Sequence, residues 1–472
     1  MKQSHPVTEN SEHPLYRLIP SLHELLLTPE FAALLETQSR DSVTSAARAV
    51  LARLKQEIGS ENHTQASLEN ELASMPVTVA DEIARGTRYR LRRVINATGV
   101  VLHTNLGRAP LSASALAHIC ETAGGYSNLE LDLESGERSR REAHTEELLL
   151  RVLNTASQSS LVVNNCAAAT FLALNTLAEG GEVIVSRGEL VEIGGGFRIP
   201  EILAKSGAIL REVGTTNRTR VADYEGAISP ATRLILRVHQ SNFSMEGFVQ
   251  RPALRELVDL GKRARIPVFE DQGTGLIASL EPLGIGSEPA LPGSLQAGCD
   301  LVAASGDKLL GGPQCGLLIG RAEPVQSIRK NPLYRTYRVD KLTYAALEAT
   351  LMEYGTQKAF NIPIHRMLHA PAAEIFARCE EVSRKVNSAQ LAAEAVPVQS
   401  LIGGGTAPTA RLQSAAVALR HAILQPQALF LALRRLEPPV VGRIHEEQVL
   451  LDLRTVEPEF DSTLVSLLQQ IA

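Results

Sequence analysis

The chain has 472 residues, 44% of them hydrophobic, and carries 47 Lys and Arg against 52 Asp and Glu for a net charge of −5. That length can bury two or three cores, and the charge exerts no overall pull on nucleic acid, so any polyanion contact must rest on a local patch. The apolar runs are too short for a membrane span, and the polar N-terminus lacks a signal-peptide core. Five scattered cysteines without a C-x-x-C pair argue against a disulfide framework or a metal site, a pattern expected of a cytoplasmic protein.

Residues 1–58 read as a helical module. Ser21 and Glu24 have capping-box spacing, and Thr28-Pro29 reads as an N-cap followed by proline at the first helical position. Val43, Ala46, Ala47, Val50, Leu51, Leu54 and Ile58 keep one face apolar until Gly59. Residues 59–76 are polar and lose that period, which predicts a linker and places the small helical N-terminal domain at 1–76. An arginine-rich segment follows over 77–110. Arg85, Arg88, Arg90, Arg92, Arg93 and Arg108 occur there with no acidic residue between Ile83 and Arg108. Such a run is either a solvated connection or a surface for a polyanion.

Over 111–344, short apolar runs alternate with helical stretches. Leu161–Val163, Val183–Val185, Ala208–Leu210, Leu234–Leu236, Pro267–Phe269 and Leu301–Ala303 read as buried strands, and Ala253–Arg265 as a helix between two of them. This predicts an α/β core with a mostly parallel, doubly wound sheet, with function at the carboxyl ends of the strands. Three strand ends carry chemistry. Leu161–Val163 runs into Asn165-Cys166-Ala167, where small residues opening a helix offer backbone N–H groups to a phosphate; a plain strand-to-helix turn is the alternative. Ile266–Glu270 reaches Asp271, and Leu301–Ala304 reaches Ser305-Gly306-Asp307-Lys308. His239 follows Leu234–Val238 and reads equally well as a proton carrier or a structural histidine; His103 and His144 are open in the same way. Residues 345–472 read as a smaller α+β domain. It has strands at Val440–Ile444 and Gln448–Leu453, a loop at Gly403-Gly404-Gly405 and a final helix.

Lys308 follows Asp271 by 37 residues, enough for one crossover between parallel strands. A strand-end lysine among apolar residues suits a Schiff base with pyridoxal 5'-phosphate (PLP), and a strand-end aspartate suits the pyridine nitrogen. Neither residue is specific alone, but the two in this order point to that cofactor. Asn165, Cys166 and Ala167 then become candidates for its phosphate, with Ser305 as a further donor. Ser305-x-x-Lys308 also matches the Ser-Lys motif of penicillin-recognising enzymes, but no Ser-Asp-Asn or Lys-Thr-Gly follows it.

Four longer stretches carry a family resemblance: Asn96–Arg108 (NATGVVLHTNLGR), Ser186–Gly195 (SRGELVEIGG), Ser305–Lys308 (SGDK) and Tyr334–Lys341 (YRTYRVDK). Together they resemble bacterial selenocysteine synthase, the L-seryl-tRNA(Sec) selenium transferase family of fold-type-I PLP enzymes. The resemblance covers nearly the whole chain. It implies that serine esterified to its dedicated tRNA loses its β-hydroxyl on PLP, giving an aminoacrylyl intermediate, and that selenium is then added from selenophosphate. It also implies that Lys308 is the Schiff-base lysine and general base, and that Arg108, Arg335 and Arg338 hold the donor's phosphate, a task guanidinium forks suit. Three residues apart, Arg335 and Arg338 would share one face of a helical turn. Asp307 and His239 would assist proton movement. By the same resemblance the N-terminal domain grips the tRNA, and the protein assembles as a homodecamer built from dimers.

Two competing readings follow from the same residues. A related PLP lyase acting on a small amino acid or amino sugar acid needs neither the N-terminal module nor the arginine-rich segment. A non-catalytic tRNA-binding protein has no need for both Lys308 and Asp271.

Overall fold

The computed structural model describes residues 14–59, 64–155, 158–286 and 288–471. The chain divides into two compact units, 1–93 and 94–472. The first is helical: α1 (Leu22–Leu26), α2 (Pro29–Thr37), α3 (Arg40–Gly59) and α4 (Gln65–Thr87). The two predicted caps form. Ser21 and Glu24 complete a capping box, and Thr28 caps α2 with Pro29 in its first turn. The predicted apolar face of α3 is buried together with Phe31.

The predicted linker is not one. From Gln65 onward it belongs to α4, which Thr64 caps and which runs through Pro76. Leu68, Met75, Val79 and Ile83 are buried, with Leu72 partly so, in the core shared with α3. These apolar positions keep a helical period that the abundant polar residues between them conceal. The boundary expected after residue 76 therefore falls inside α4, and the arginine-rich segment begins as helix.

The second unit contains the predicted sheet. Its seven strands are β2 (Ser159–Val163), β3 (Glu182–Ser186), β6 (Ile209–Val213), β7 (Thr232–Val238), β8 (Val268–Asp271), β9 (Leu301–Ser305) and β10 (Gly316–Gly320), in the order β2-β10-β9-β8-β7-β3-β6. All six predicted strands are present. β10, an additional strand with a three-residue aliphatic centre, runs antiparallel between β2 and β9. Alternate residues face two cores. Val162, Ile184, Ile235 and Val302 point to one side, and Leu161, Val185, Leu236 and Ala303 to the other. Both faces of the sheet are thus covered, as a doubly wound sheet requires.

A four-stranded antiparallel sheet forms the rest, from β11 (Leu391–Gly403), β12 (Thr406–His421), β14 (Arg443–His445) and β15 (Gln448–Asp452) in the order β11-β12-β15-β14. β1 (Ile95–Asn96) pairs in parallel with β13 (Val440–Val441), and a small hairpin is made by β4 (Glu192–Ile193) and β5 (Phe197–Arg198). Two expected boundaries shift as a result. The helix Lys341–Gly355 spans the one drawn after residue 344, and its Tyr344, Leu347 and Leu351 sit in the core of the large sheet. Ile95 and Ala97, assigned to the arginine-rich segment, join the core of the small sheet. Among the described residues no single helix is long and apolar enough to cross a membrane.

Candidate active site

Lys308 is delivered by a tight turn at the end of β9. Gly306 N–H donates to the Cys315 carbonyl at 2.9 Å, Gly312 N–H to the Gly306 carbonyl at 2.8 Å, and Leu309 N–H to the Thr274 carbonyl at 2.9 Å. A Cβ on Gly306 would stand 2.5 Å from Cys315 Sγ and 2.6 Å from the Pro313 oxygen, so the chain folds back this tightly only with glycine there. The turn leaves Lys308 6% exposed, and Asp271, at the end of the neighbouring parallel strand β8, is 4% exposed. A Cβ on Gly273 would lie 3.8 Å from Asp271 Oδ1 and 3.9 Å from Lys308 Nζ, so amine and carboxylate face the same small space.

That space is a cavity of about 270 Å³ whose wall includes Arg108, Asn165, Cys166, Ala167, Asp271, Ser305, Asp307 and Lys308. Asp271 accepts a hydrogen bond from Thr170 Oγ1 at 3.0 Å, and the Cys166 thiol approaches its other oxygen at 3.7 Å. Burial pushes the Asp271 carboxyl above the ordinary carboxylate range, against the pull of the Thr170 bond and the Lys308 charge. Burial, and then the Asp271 charge, push the Cys166 thiol well up, so it stays protonated. The helix Cys166–Ala178 opens at this wall. Asn165 caps it, its side chain accepting from Ala168 N–H at 2.8 Å and its carbonyl from Ala169 N–H at 3.1 Å. Cys166 and Ala167, the first two residues of the helix, line the cavity. Arg108, in a left-handed backbone at φ +61°, reaches Asp307 Oδ2 through Nη1 at 2.7 Å. A buried amine, a facing carboxylate that gains from a cationic partner, and a helix opening of small residues together suit PLP.

Residues 94–457 match the family model described as L-seryl-tRNA selenium transferase, and residues 16–54 match the selenocysteine synthase N-terminal model. The chain belongs to the L-seryl-tRNA selenium transferase family. The L-seryl-tRNA(Sec) selenium transferase of Aquifex aeolicus is 46% identical over 433 residues, covering 91% of this chain and 94% of the relative. That of Geobacter metallireducens is 44% identical over 464 residues, covering 97% and 99%. Among solved structures, D-glucosaminate-6-phosphate ammonia-lyase is similar at a TM-score of 0.56 and 20% identity, covering 81% of this chain and 96% of that one, a likeness of fold. The fold is the expected fold-type-I arrangement.

In this selenium transferase family member the sequence-predicted site residues fall into three groups: one cavity, an arginine pair outside it, and His239 in a neighbouring cavity. Lys308, Asp271, Asp307, Ser305, Asn165, Cys166, Ala167 and Arg108 share one cavity. Arg335 and Arg338 do not line it. Arg335 is exposed on the helix Pro332–Tyr337, and Arg338 lies just past that helix in extended backbone at φ −63° and ψ 137°. The expected shared helical face is therefore absent, because the helix stops between the two arginines. Arg338 Nη1 sits 3.6 Å from Glu130 Oε1, and its Nε is buried without a hydrogen-bond partner among the described residues. Bonds from Arg141 and Arg138 hold the Glu130 carboxyl down at about 2.

The histidines separate as well. His239 lines a neighbouring cavity, with Nε2 3.2 Å from Glu288 Oε1. His144 Nε2 lies 3.2 Å from the Leu129 carbonyl oxygen, and His103 Nδ1 is buried without a partner among the described residues. Sequence reasoning missed Thr170, Ile193, Gly194, Phe197 and Gln314 in or beside the site. Thr170 lies three residues beyond the Asn165-Cys166-Ala167 opening, one turn into the helix, and the Gly194-Gly195-Gly196 run was the visible sign of the β4–β5 hairpin.

Proposed function

We propose that this protein converts seryl-tRNA(Sec) to selenocysteinyl-tRNA(Sec), with selenophosphate as the selenium donor. The observation that carries the reading is the buried Lys308 amine facing the buried Asp271 carboxylate across one cavity, in a chain of the selenium transferase family.

Bound PLP would act as an electron sink, making Cα of the esterified serine acidic and letting the β-hydroxyl leave. Lys308 would hold the cofactor, and its amine, free to act as a base, would take the Cα proton of the esterified serine. Asp271 would supply the partner for the cofactor's pyridine nitrogen, and Thr170 orients that carboxyl through its hydrogen bond. The opening of the helix at Cys166 and Ala167, with Ser305, would hold the cofactor phosphate. Asp307 orients Arg108 into the cavity, where the arginine meets the donor's phosphate. Arg335 and Arg338 serve the same anion. Neither lines the cavity of its own chain, so they complete the donor site from a second copy within a homodecamer built from dimers. Asp307 and His239 assist proton movement, and His239 does so in contact with Glu288. The helical N-terminal unit binds the tRNA, and the protein works in the cytoplasm.

The test is incubation with seryl-tRNA(Sec), with and without selenophosphate, followed by mass analysis of the amino acid released from the ester. Selenocysteine should form only when the donor is present. Serine recovered intact in both arms would refute the assignment.

A further inference from the structure

The hairpin joining β11 and β12 reaches over to the reactive lysine. Its tip, Gly403-Gly404-Gly405, holds three successive left-handed residues at φ +75°, +63° and +75°. A Cβ on Gly403 would stand 2.3 Å from Val100 Cγ1, and one on Gly404 2.5 Å from the Leu102 carbonyl oxygen, so the tip is wedged against the 99–102 segment. The third glycine faces the cavity. Its Cβ position lies 3.7 Å from Lys308 Nζ and 3.8 Å from Ser241 Oγ.

Backbone bonds hold one flank of the tip. Leu401 N–H donates to the Gly99 carbonyl at 2.8 Å, Val101 N–H to the Leu401 carbonyl at 3.0 Å, and Leu102 N–H to the Ile402 carbonyl at 2.8 Å. On the other flank Ala407, itself left-handed at φ +38°, donates its N–H to Glu288 Oε2 at 3.0 Å. The Glu288 side chain is 1% exposed, and its other oxygen lies 3.2 Å from His239 Nε2. The backbone N–H of His239 in turn donates to the Asp271 carbonyl at 3.0 Å. The loop bearing Glu288 is itself pinned, because Gln272 Nε2 donates to the Pro289 carbonyl at 2.8 Å and Gln272 Oε1 accepts from Gly275 N–H at 3.0 Å. One buried carboxylate thus ties the hairpin tip beside Lys308 to the strand ends that carry His239 and Asp271.

We infer that Glu288 is a positioning residue for the reaction at Lys308. It fixes the glycine tip at a spacing that leaves room for the esterified serine beside the amine. Three consecutive glycines lose more conformational freedom on ordering than any other tripeptide, so the tip needs an anchor on each flank. A carboxylate accepting from a backbone N–H is among the stronger anchors a protein can provide. The inference rests on the reading of Lys308 as the reactive amine, and its test keeps the two apart.

The full-length Glu288→Ala variant is compared with the parent by amide hydrogen exchange over residues 401–409 and by steady-state kinetics with seryl-tRNA(Sec). Exchange at Ala407 and its neighbours should rise about tenfold, as expected for loss of a charge-assisted hydrogen bond. Elsewhere exchange should stay as in the parent. The rate constant kcat should fall about tenfold or more while KM changes little, because docking of the tRNA is intact but the reacting atoms are misaligned. Glu288→Gln keeps an acceptor for Ala407 N–H and should restore both exchange protection and most of kcat. Unchanged exchange in Glu288→Ala, or a loosened hairpin with unchanged kcat, overturns the inference. If the alanine variant fails to fold, the glutamine variant decides: fast exchange at Ala407 with full kcat overturns the inference, and parental exchange with near-parental kcat supports it. Failure of the lysine reading has a separate signature, a borohydride-fixed cofactor on some residue other than Lys308 in the parent. The exchange arm needs no cofactor and judges the anchor either way.

Discussion

Replacing Asp271 with Asn removes a charge and little else. The side chain is buried, its volume is kept, and the amide oxygen can still accept from Thr170 Oγ1, which now lies 3.0 Å away. What is lost is the carboxylate that faces the cavity and, in the proposed role, stabilises a cationic ring nitrogen. Breaking one side of a buried, hydrogen-bonded charge pair costs roughly 3–5 kcal/mol. At about 1.4 kcal/mol per decade, turnover should fall by roughly two to three and a half orders of magnitude. The proposed attachment through Lys308 and the proposed phosphate contacts at Cys166 and Ala167 do not involve this side chain, so the variant should keep its cofactor through dialysis. The assay pairs cofactor content, read from visible absorbance, with single-turnover conversion of seryl-tRNA(Sec). Full cofactor content with unchanged turnover would refute the argument, since the carboxylate would then have no part in holding the ring's charge.

Three further outcomes follow from the same geometry. Burial raises the Glu270 carboxyl above its ordinary 4.5, so its contribution to stability is complete below that value and is lost as pH rises through the raised value. Glu270→Gln should therefore gain in Tm relative to the parent as pH rises above 4.5; a pH-independent difference in scanning fluorimetry would contradict this. Arg338→Ala should raise KM for selenophosphate about tenfold or more while leaving seryl-tRNA binding unchanged, since one charge-assisted contact is worth roughly 1.5–3 kcal/mol. Loss of tRNA binding with unchanged donor dependence would move this arginine to the tRNA. Removing residues 1–93 should weaken seryl-tRNA binding, measured at one stated salt concentration, and leave cofactor attachment intact. The cut belongs after Arg93, because one at residue 58 would strip the partner from the apolar face of α4.

Much of the large sheet was legible because its strands are short, doubly buried aliphatic runs ending in punctuation, and Asp271 and Lys308 stood at two of those ends. β10 escaped notice because Leu317–Ile319 is bracketed by Gly316 and Gly320 just after the Gly311-Gly312-Pro313 turn, so it reads as part of a loop, and its antiparallel pairing depends on β2 and β9. β11 and β12 were hidden by composition, since Ala, Glu and Pro in β11 argue locally against a strand and only cross-strand pairing overrides them. The α4 helix was masked by its polar faces. In the site, Lys308, Asp271 and the Asn165 helix opening were readable from strand–turn patterns. Thr170 and Glu288 were not, because their importance lies in contacts with residues 101 and 119 positions away. The arginine pair was misread locally: a helix extrapolated through Tyr334–Arg338 ends at Tyr337.

The most direct test of the account is where the cofactor attaches. The protein is loaded with PLP, reduced with borohydride, digested and mapped by mass spectrometry, with Lys308→Ala in parallel. The account predicts a single pyridoxyl label on Lys308, no label in the variant, and loss of seryl-tRNA(Sec) conversion together with it. A label on another lysine, or conversion persisting in Lys308→Ala, would contradict it.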